Sequence, residues 1–78
     1  MEMRRFRVPL EEIGYVRMIV EAYDGLAVVV SPDAGVGIIE WWVAPGREAE
    51  ADELAAALAK ETGLTRVSDL EQAIGSAP

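Results

Sequence analysis

The sequence predicts a two-layer α+β sandwich in which two helices cover one face of an antiparallel sheet. The first observation behind this prediction is the order of patterned segments, which runs strand, helix, strand, strand, helix and short strand within 78 residues. The second is a composition that is 51% hydrophobic and contains neither cysteine nor histidine. A dense core, or area buried against another subunit, must therefore hold the chain together. We expect one domain over residues 1–75 and a frayed tail over residues 76–78.

The first strand and the first helix meet at a proline. The segment from Met3 to Val8 alternates, which predicts a strand with Phe6 and Val8 on its core face. Pro9 stops this strand and presets the first turn of a helix that we expect from Leu10 to Tyr23. The predicted buried stripe of that helix consists of Val16, Ile19, Val20 and Tyr23.

Two strands then form a hairpin. They run from Leu26 to Ser31 and from Gly37 to Val43, with a turn at residues 32–35. Glu40 sets the parity of the third strand, because a carboxylate belongs on the face away from the helices. In the second strand, the alternation predicts Ala27, Val29 and Ser31 on that same uncovered face.

The second helix is expected from Arg47 to Thr62, ended by Gly63. Leu64 to Val67 is short enough that the sequence leaves open whether it forms a fourth strand. A capping box at Ser68 predicts a last helical turn that Gly75 ends. Together these elements predict the ferredoxin-like arrangement, with strand order 4-1-3-2.

The charge argues against two classes of partner. The formal net charge is −7, whereas phosphate binding depends on lysine and arginine, so we expect neither nucleic acid nor an anionic membrane as partner. No apolar run approaches the ~20 residues of a membrane span. We therefore expect a cytoplasmic protein.

Catalysis and cofactor binding lack their usual residues. The chain has no histidine base and no cysteine nucleophile, and its carboxylates fall mostly on predicted solvated helix faces. Gly35 and Gly37 form a Gly-x-Gly, but the third glycine and the lysine of a phosphate loop are missing. No calcium-type loop is present either. The sequence predicts a non-catalytic protein with no catalytic residue, cofactor or metal site.

The uncovered face of the sheet is the candidate interface. An apolar patch with a charged pair inside it is typical of a protein–protein contact, and we expect a homodimer, with an unidentified protein partner as the other option. If strands one and three are neighbours, Arg5 or Arg7 can pair with Glu40. The alternative is one exposed tryptophan partly covered by arginine stems or by the C-terminal tail. The candidate interface residues are Trp42, Ile38, Val29, Arg5, Arg7 and Glu40.

Three segments resemble a bacterial family known as domain of unknown function 4911. They are residues 6–16, residues 23–29 with their Tyr-Asp-Gly-Leu-Ala join, and residues 37–40. The resemblance covers about residues 4–62. It implies a small stand-alone bacterial protein and no activity.

The predicted topology is also similar to that of ACT domains, which pair and hold an amino acid at the interface. This resemblance implies an alternative function, an ACT-like sensor of a small metabolite at the dimer interface. Leu10 stands where that family usually has glycine. A third option is an accessory subunit that completes an enzyme with a partner chain. The candidate ligand residues of the sensor are Pro9, Leu10, Glu11, Glu12, Ile13 and Gly14.

Overall fold

The computed structural model describes residues 1–67, apart from the side chains of residues 33 and 34. Four antiparallel strands form one sheet in the order β2-β3-β1-β4. Two helices complete the α+β, ferredoxin-like layout that the sequence predicts. The elements are β1 (Glu2–Arg7), α1 (Ile13–Ala22), β2 (Ala27–Asp33), β3 (Ile38–Val43), α2 (Glu48–Thr62) and β4 (Thr65–Val67), with short 3-10 turns at Leu10–Glu12 and Ala34–Val36.

The core lies between the sheet and the two helices. Trp41 of β3 is fully buried, and its ring packs against Phe6 of β1 with 4.6 Å between the ring centroids. Val16 and Val20 of α1 and Leu58 of α2 close over these rings. Full burial of such side chains stabilises the fold by roughly 1.5–3 kcal/mol each, so a chain of this size depends on this one cluster.

The first helix is shorter than predicted at both ends. Pro9 accepts a backbone hydrogen bond from Glu12 at 2.8 Å, so the chain makes one 3-10 turn before α1 begins at Ile13. The helix ends at Ala22, and Tyr23 takes an extended conformation that leaves its side chain exposed. Tyr23 is therefore not part of the buried stripe, because the stripe continues only as far as helical geometry does.

A fourth strand answers the question that the sequence left open. Gly63 has a φ of 83°, a left-handed conformation that ends α2 and turns the chain back beside β1. Thr65–Val67 then pairs antiparallel with β1, with Val67 opposite Arg5. The helical turn predicted from Ser68 to Gly75 and the tail at 76–78 lie outside the described residues.

The prediction for the second strand was wrong by one residue. Val29 lies opposite Trp41 and is only 7% exposed, so it belongs to the core, whereas Val28 and Val30 lie on the uncovered face. Paired residues in a sheet share a face, and β3 therefore sets the phase of β2. The stretch Leu26–Val30 contains no polar residue that could have revealed this phase in the sequence.

Candidate functional site

The open face, meaning the side of the sheet away from the helices, carries a polar cluster at its centre. Arg5 and Glu40 lie opposite each other on β1 and β3, and Arg5 Nη2 donates to Glu40 Oε2 at 3.1 Å. Trp42 Nε1 donates to the other carboxylate oxygen, Oε1, at 3.3 Å. The sequence predicted that Arg5 or Arg7 pairs with Glu40, and the structure selects Arg5.

This ion pair is shielded from water. The side chains of Arg5 and Glu40 are 19% and 15% exposed, respectively. A shielded pair adds little net stability over an apolar pair, but removing one partner leaves the other charge without compensation. The pair therefore holds the register of β1 on β3 and makes the centre of the open face polar without leaving the Glu40 carboxylate unsatisfied.

Beside the ion pair lies an apolar strip, formed by Val28, Val30 and Trp42. These side chains are 57%, 41% and 38% exposed, and Val28 lies directly opposite Trp42. The strip occupies the β2 side of the open face. Exposed apolar side chains that form a contiguous group mark a contact surface more often than single exposed ones do.

The other predicted interface residues border this cluster, with one exception. Ile38 is partly buried on β3, and the exposed Arg7 lies opposite it on β1. Val29 lies on the core side and contributes nothing to the open face. Its place is taken by Val28 and Val30, which the sequence reasoning missed because it put the wrong parity on β2.

The six candidate ligand residues form the turn between β1 and α1. Val8 donates its backbone N–H to Gly37 O at 2.7 Å, so this turn sits against the start of β3. No side chain caps the 3-10 turn, and Leu10, Glu11 and Gly14 are exposed whereas Pro9, Glu12 and Ile13 are partly buried. The arrangement brings two carboxylates and an exposed leucine together, with no basic side chain among the six.

Two polar contacts that the sequence reasoning missed join the sheet to α2 and the two helices to each other. Arg4 lies on the core side of β1 and is nearly buried. A charge is tolerated there because the Arg4 Nε donates to Asp52 Oδ1 on α2 at 3.1 Å and Glu2 pairs with its Nη1. The hydrogen bond to Asp52 is the main reason that the pKa of Arg4 is raised. Tyr15 donates to Glu61 Oε2 at 2.7 Å, which raises the Tyr15 pKa. The signal for Arg4 was its phase, which it shares with Phe6 and Val8.

The structure of residues 1–67 also bears on metal binding and on membrane crossing. No three carboxylates in this part of the chain are placed to hold a metal ion together. Neither α1 nor α2 combines the length and the apolar character that crossing a bilayer requires.

Comparison with known proteins gives the family. No curated protein and no solved structure matches the chain. A family model described as Domain of unknown function (DUF4911) matches residues 6–62, which include α1, β2, β3 and α2 entire. The matched range also contains the Arg7–Glu12 junction and the Glu40–Trp42 cluster. The chain therefore belongs to the DUF4911 family.

Proposed function

We propose that this protein is a non-catalytic module of the cytoplasm that acts through self-association as a homodimer. The observation that supports the proposal is the apolar strip of Val28, Val30 and Trp42 beside a shielded ion pair. A small domain gains more than a large one from covering such a surface, because its own core is limited.

The chemistry of the open face favours a contact that excludes water. Trp42 and Ile38 are the proposed anchors, together with Val28 and Val30. Buried aromatic side chains commonly carry the largest share of binding energy in an interface. Because Trp42 already donates its indole N–H to Glu40, covering its ring leaves no new unsatisfied donor.

The charged residues contribute orientation. Arg5 and Glu40 satisfy each other, and Arg7 lies exposed beside Ile38 at the rim. Charges at a rim affect the rate and the register of association more than its strength. Arg5, Arg7 and Glu40 are accordingly proposed to set how two copies align.

The test compares two aromatic variants by light scattering over a dilution series. Trp42→Ser should give a folded protein whose dimer dissociates at least ~30-fold more readily, as expected for an anchor worth about 2 kcal/mol. Tyr23→Ser is the matched control, since Tyr23 is an equally exposed aromatic away from the open face. A Trp42→Ser protein as dimeric as its parent would remove the open face from the proposal.

The amino-acid sensor is the second proposal and has less support. The turn from Pro9 to Gly14 presents Glu11 and Glu12, which oppose the carboxylate of an amino acid. A thermal-shift screen of the amino acids separates the two proposals. A selective rise of several degrees with one amino acid would favour the sensor, because a ligand that binds only the folded state stabilises it.

The accessory-subunit option has its own signature. A parent chain that stays monomeric at every concentration, yet co-purifies with one stoichiometric partner from its host, would favour a subunit that completes an enzyme. Such a result would count against self-association as well.

A further inference from the structure

The backbone of β2 offers a specific way for two copies to meet. We infer that the dimer forms by antiparallel pairing of β2 with β2 of a second copy, which joins two four-stranded sheets into one of eight strands. This inference rests on the proposed self-association but places the contact at the β2 edge of the apolar strip and not face to face. Val28 and Val30 then meet the second copy, and Trp42 lies beside them, opposite Val28. Three features of β2 bear on such pairing: the direction of its free hydrogen-bonding groups, the unprotected first part of its edge, and the charges around it.

The hydrogen bonds between β2 and β3 fix which groups of β2 point outward. Ala44 donates to Leu26 O at 2.9 Å, and the register continues with Val28 opposite Trp42 and Val30 opposite Glu40. In an antiparallel pair, hydrogen-bonded positions alternate along the strand. Residues 28 and 30 therefore direct their backbone groups to β3, and residues 27 and 29 direct an N–H and a C=O each to the outside. The register shifts between Val30 and Asp33, but Ser31 keeps the phase of residues 27 and 29, because its Oγ accepts from Arg17 on the helix side.

The first part of this edge lacks the protection that edge strands usually have. Proteins prevent unwanted strand pairing with short edges, charged side chains, proline or bulges. The stretch Ala27–Ser31 has no charge and no proline, whereas Pro32, Asp33 and a β-bulge between Val30 and Asp33 protect only the C-terminal end of β2. The opposite edge of the described sheet, β4, has three residues, of which Arg66 is charged and exposed. The asymmetry selects β2 as the pairing edge.

The outward groups are self-complementary about Val29. If a two-fold axis passes beside this residue, Val29 pairs with Val29 of the second copy, and Ala27 pairs with Ser31 of the second copy in both directions. The six outward backbone groups of each copy, three N–H and three C=O, then all have a partner. Val28 faces Val30 of the second copy at a non-hydrogen-bonded position, where Cα atoms lie about 4.5 Å apart. The pairing covers two side chains of the apolar strip on each copy.

The charges around this edge lie at the ends of the paired stretch. Each copy has a net charge of −7 and Ala27–Ser31 carries none of it, but the acidic residues Asp24 and Asp33 that flank the stretch come together at each end of the pair. Arg17 of α1 donates from Nη2 to Ser31 Oγ at 2.6 Å, which puts it above β2. Arg17 therefore adds a positive charge beside this edge, which an acidic second copy would meet.

Cysteine cross-linking tests this register directly. The chain contains no cysteine, so an introduced one has no native competitor. Val28→Cys and Val30→Cys are prepared as separate variants at exposed positions and mixed in a glutathione redox buffer. A Cα separation of about 4.5 Å lies within the range of a disulfide, whereas the like-with-like separation of about 7–8 Å does not. The mixture should form a disulfide-linked heterodimer at least ~10-fold faster than either variant alone, as mass spectrometry of the linked peptides will show.

The outcomes separate this inference from the proposed function. Rapid linkage in the mixture alone supports β2 pairing. If the parent is dimeric but Trp42→Cys links to itself faster than the mixture links, the copies meet face to face, and the inference is overturned while self-association stands. If the parent is monomeric at all concentrations and no variant links, both are overturned. Equal linkage of the single variants and the mixture also contradicts the Val29-centred register.

Discussion

Gly37 has no room for a side chain, so Gly37→Ala should destabilise the fold strongly. Its φ is 77°, and a Cβ built on it would lie 2.4 Å from the carbonyl oxygen of Val8. That oxygen belongs to the backbone, so relief requires the end of β1 to move. The same two residues share the hydrogen bond from Val8 N–H to Gly37 O at 2.7 Å, which closes β1 against the start of β3.

The expected loss can be estimated from these contacts. A left-handed conformation costs a residue with a Cβ about 1–2 kcal/mol. Weakening the Val8–Gly37 hydrogen bond adds about 0.5–1.5 kcal/mol. The total of about 1.5–3.5 kcal/mol is a large part of the ~4–12 kcal/mol expected for a chain of this length. It corresponds to a fall in Tm of roughly 6–28 °C.

Gly46→Ala is the matched control. Gly46 has a φ of 86°, but a Cβ there meets no heavy atom within 4 Å. The control therefore carries the conformational cost without the clash, and the effect of alanine on the unfolded chain cancels between the two variants. Urea unfolding is measured at one fixed protein concentration, because dimer formation adds to apparent stability. Equal losses for the two variants, within about 0.5 kcal/mol, would refute the reasoning.

Three further predictions concern charges. Asp52→Ala should lower the free energy of unfolding by about 1–3 kcal/mol, because it leaves the nearly buried Arg4 guanidinium with one carboxylate partner fewer. Glu53→Ala, at an exposed neighbouring position, should lower the free energy of unfolding in urea far less. The hydrogen bond from Arg47 lowers the pKa of Glu50 in the folded state, so Glu50 contributes to the free energy of unfolding above its unfolded pKa, and this contribution is lost as the pH falls through the folded pKa. Glu50→Gln should therefore make the loss of stability at acid pH shallower, and an unchanged profile of stability against pH would contradict this. Because each copy has a net charge of −7, added salt should screen repulsion and tighten the dimer, and a dimer that weakens with salt in light scattering would contradict this.

The sequence predicted those parts of the site that a polar residue marks. Glu40 interrupts an apolar strand, and this one carboxylate was enough to put Trp41 in the core and Trp42 on the open face. Once β3 had its phase, the strand order placed Arg5 opposite Glu40. The layout of two helices on one face followed from the order of the elements.

The remaining features depend on pairing, which one strand's own pattern does not contain. Val28, Val29 and Val30 are chemically alike, so only the register with β3 decides which of them is buried. β4 is three residues long, too short for a periodic pattern, and forms because Gly63 turns the chain back beside β1. The outward direction of the β2 hydrogen-bonding groups is likewise a property of the β2–β3 ladder.

The most direct test of self-association is the mass of the purified chain by light scattering, from micromolar to nanomolar concentration. The account predicts twice the mass of a single chain at the upper end, with dissociation to the single-chain mass on dilution. A mass equal to one chain at every concentration would contradict it.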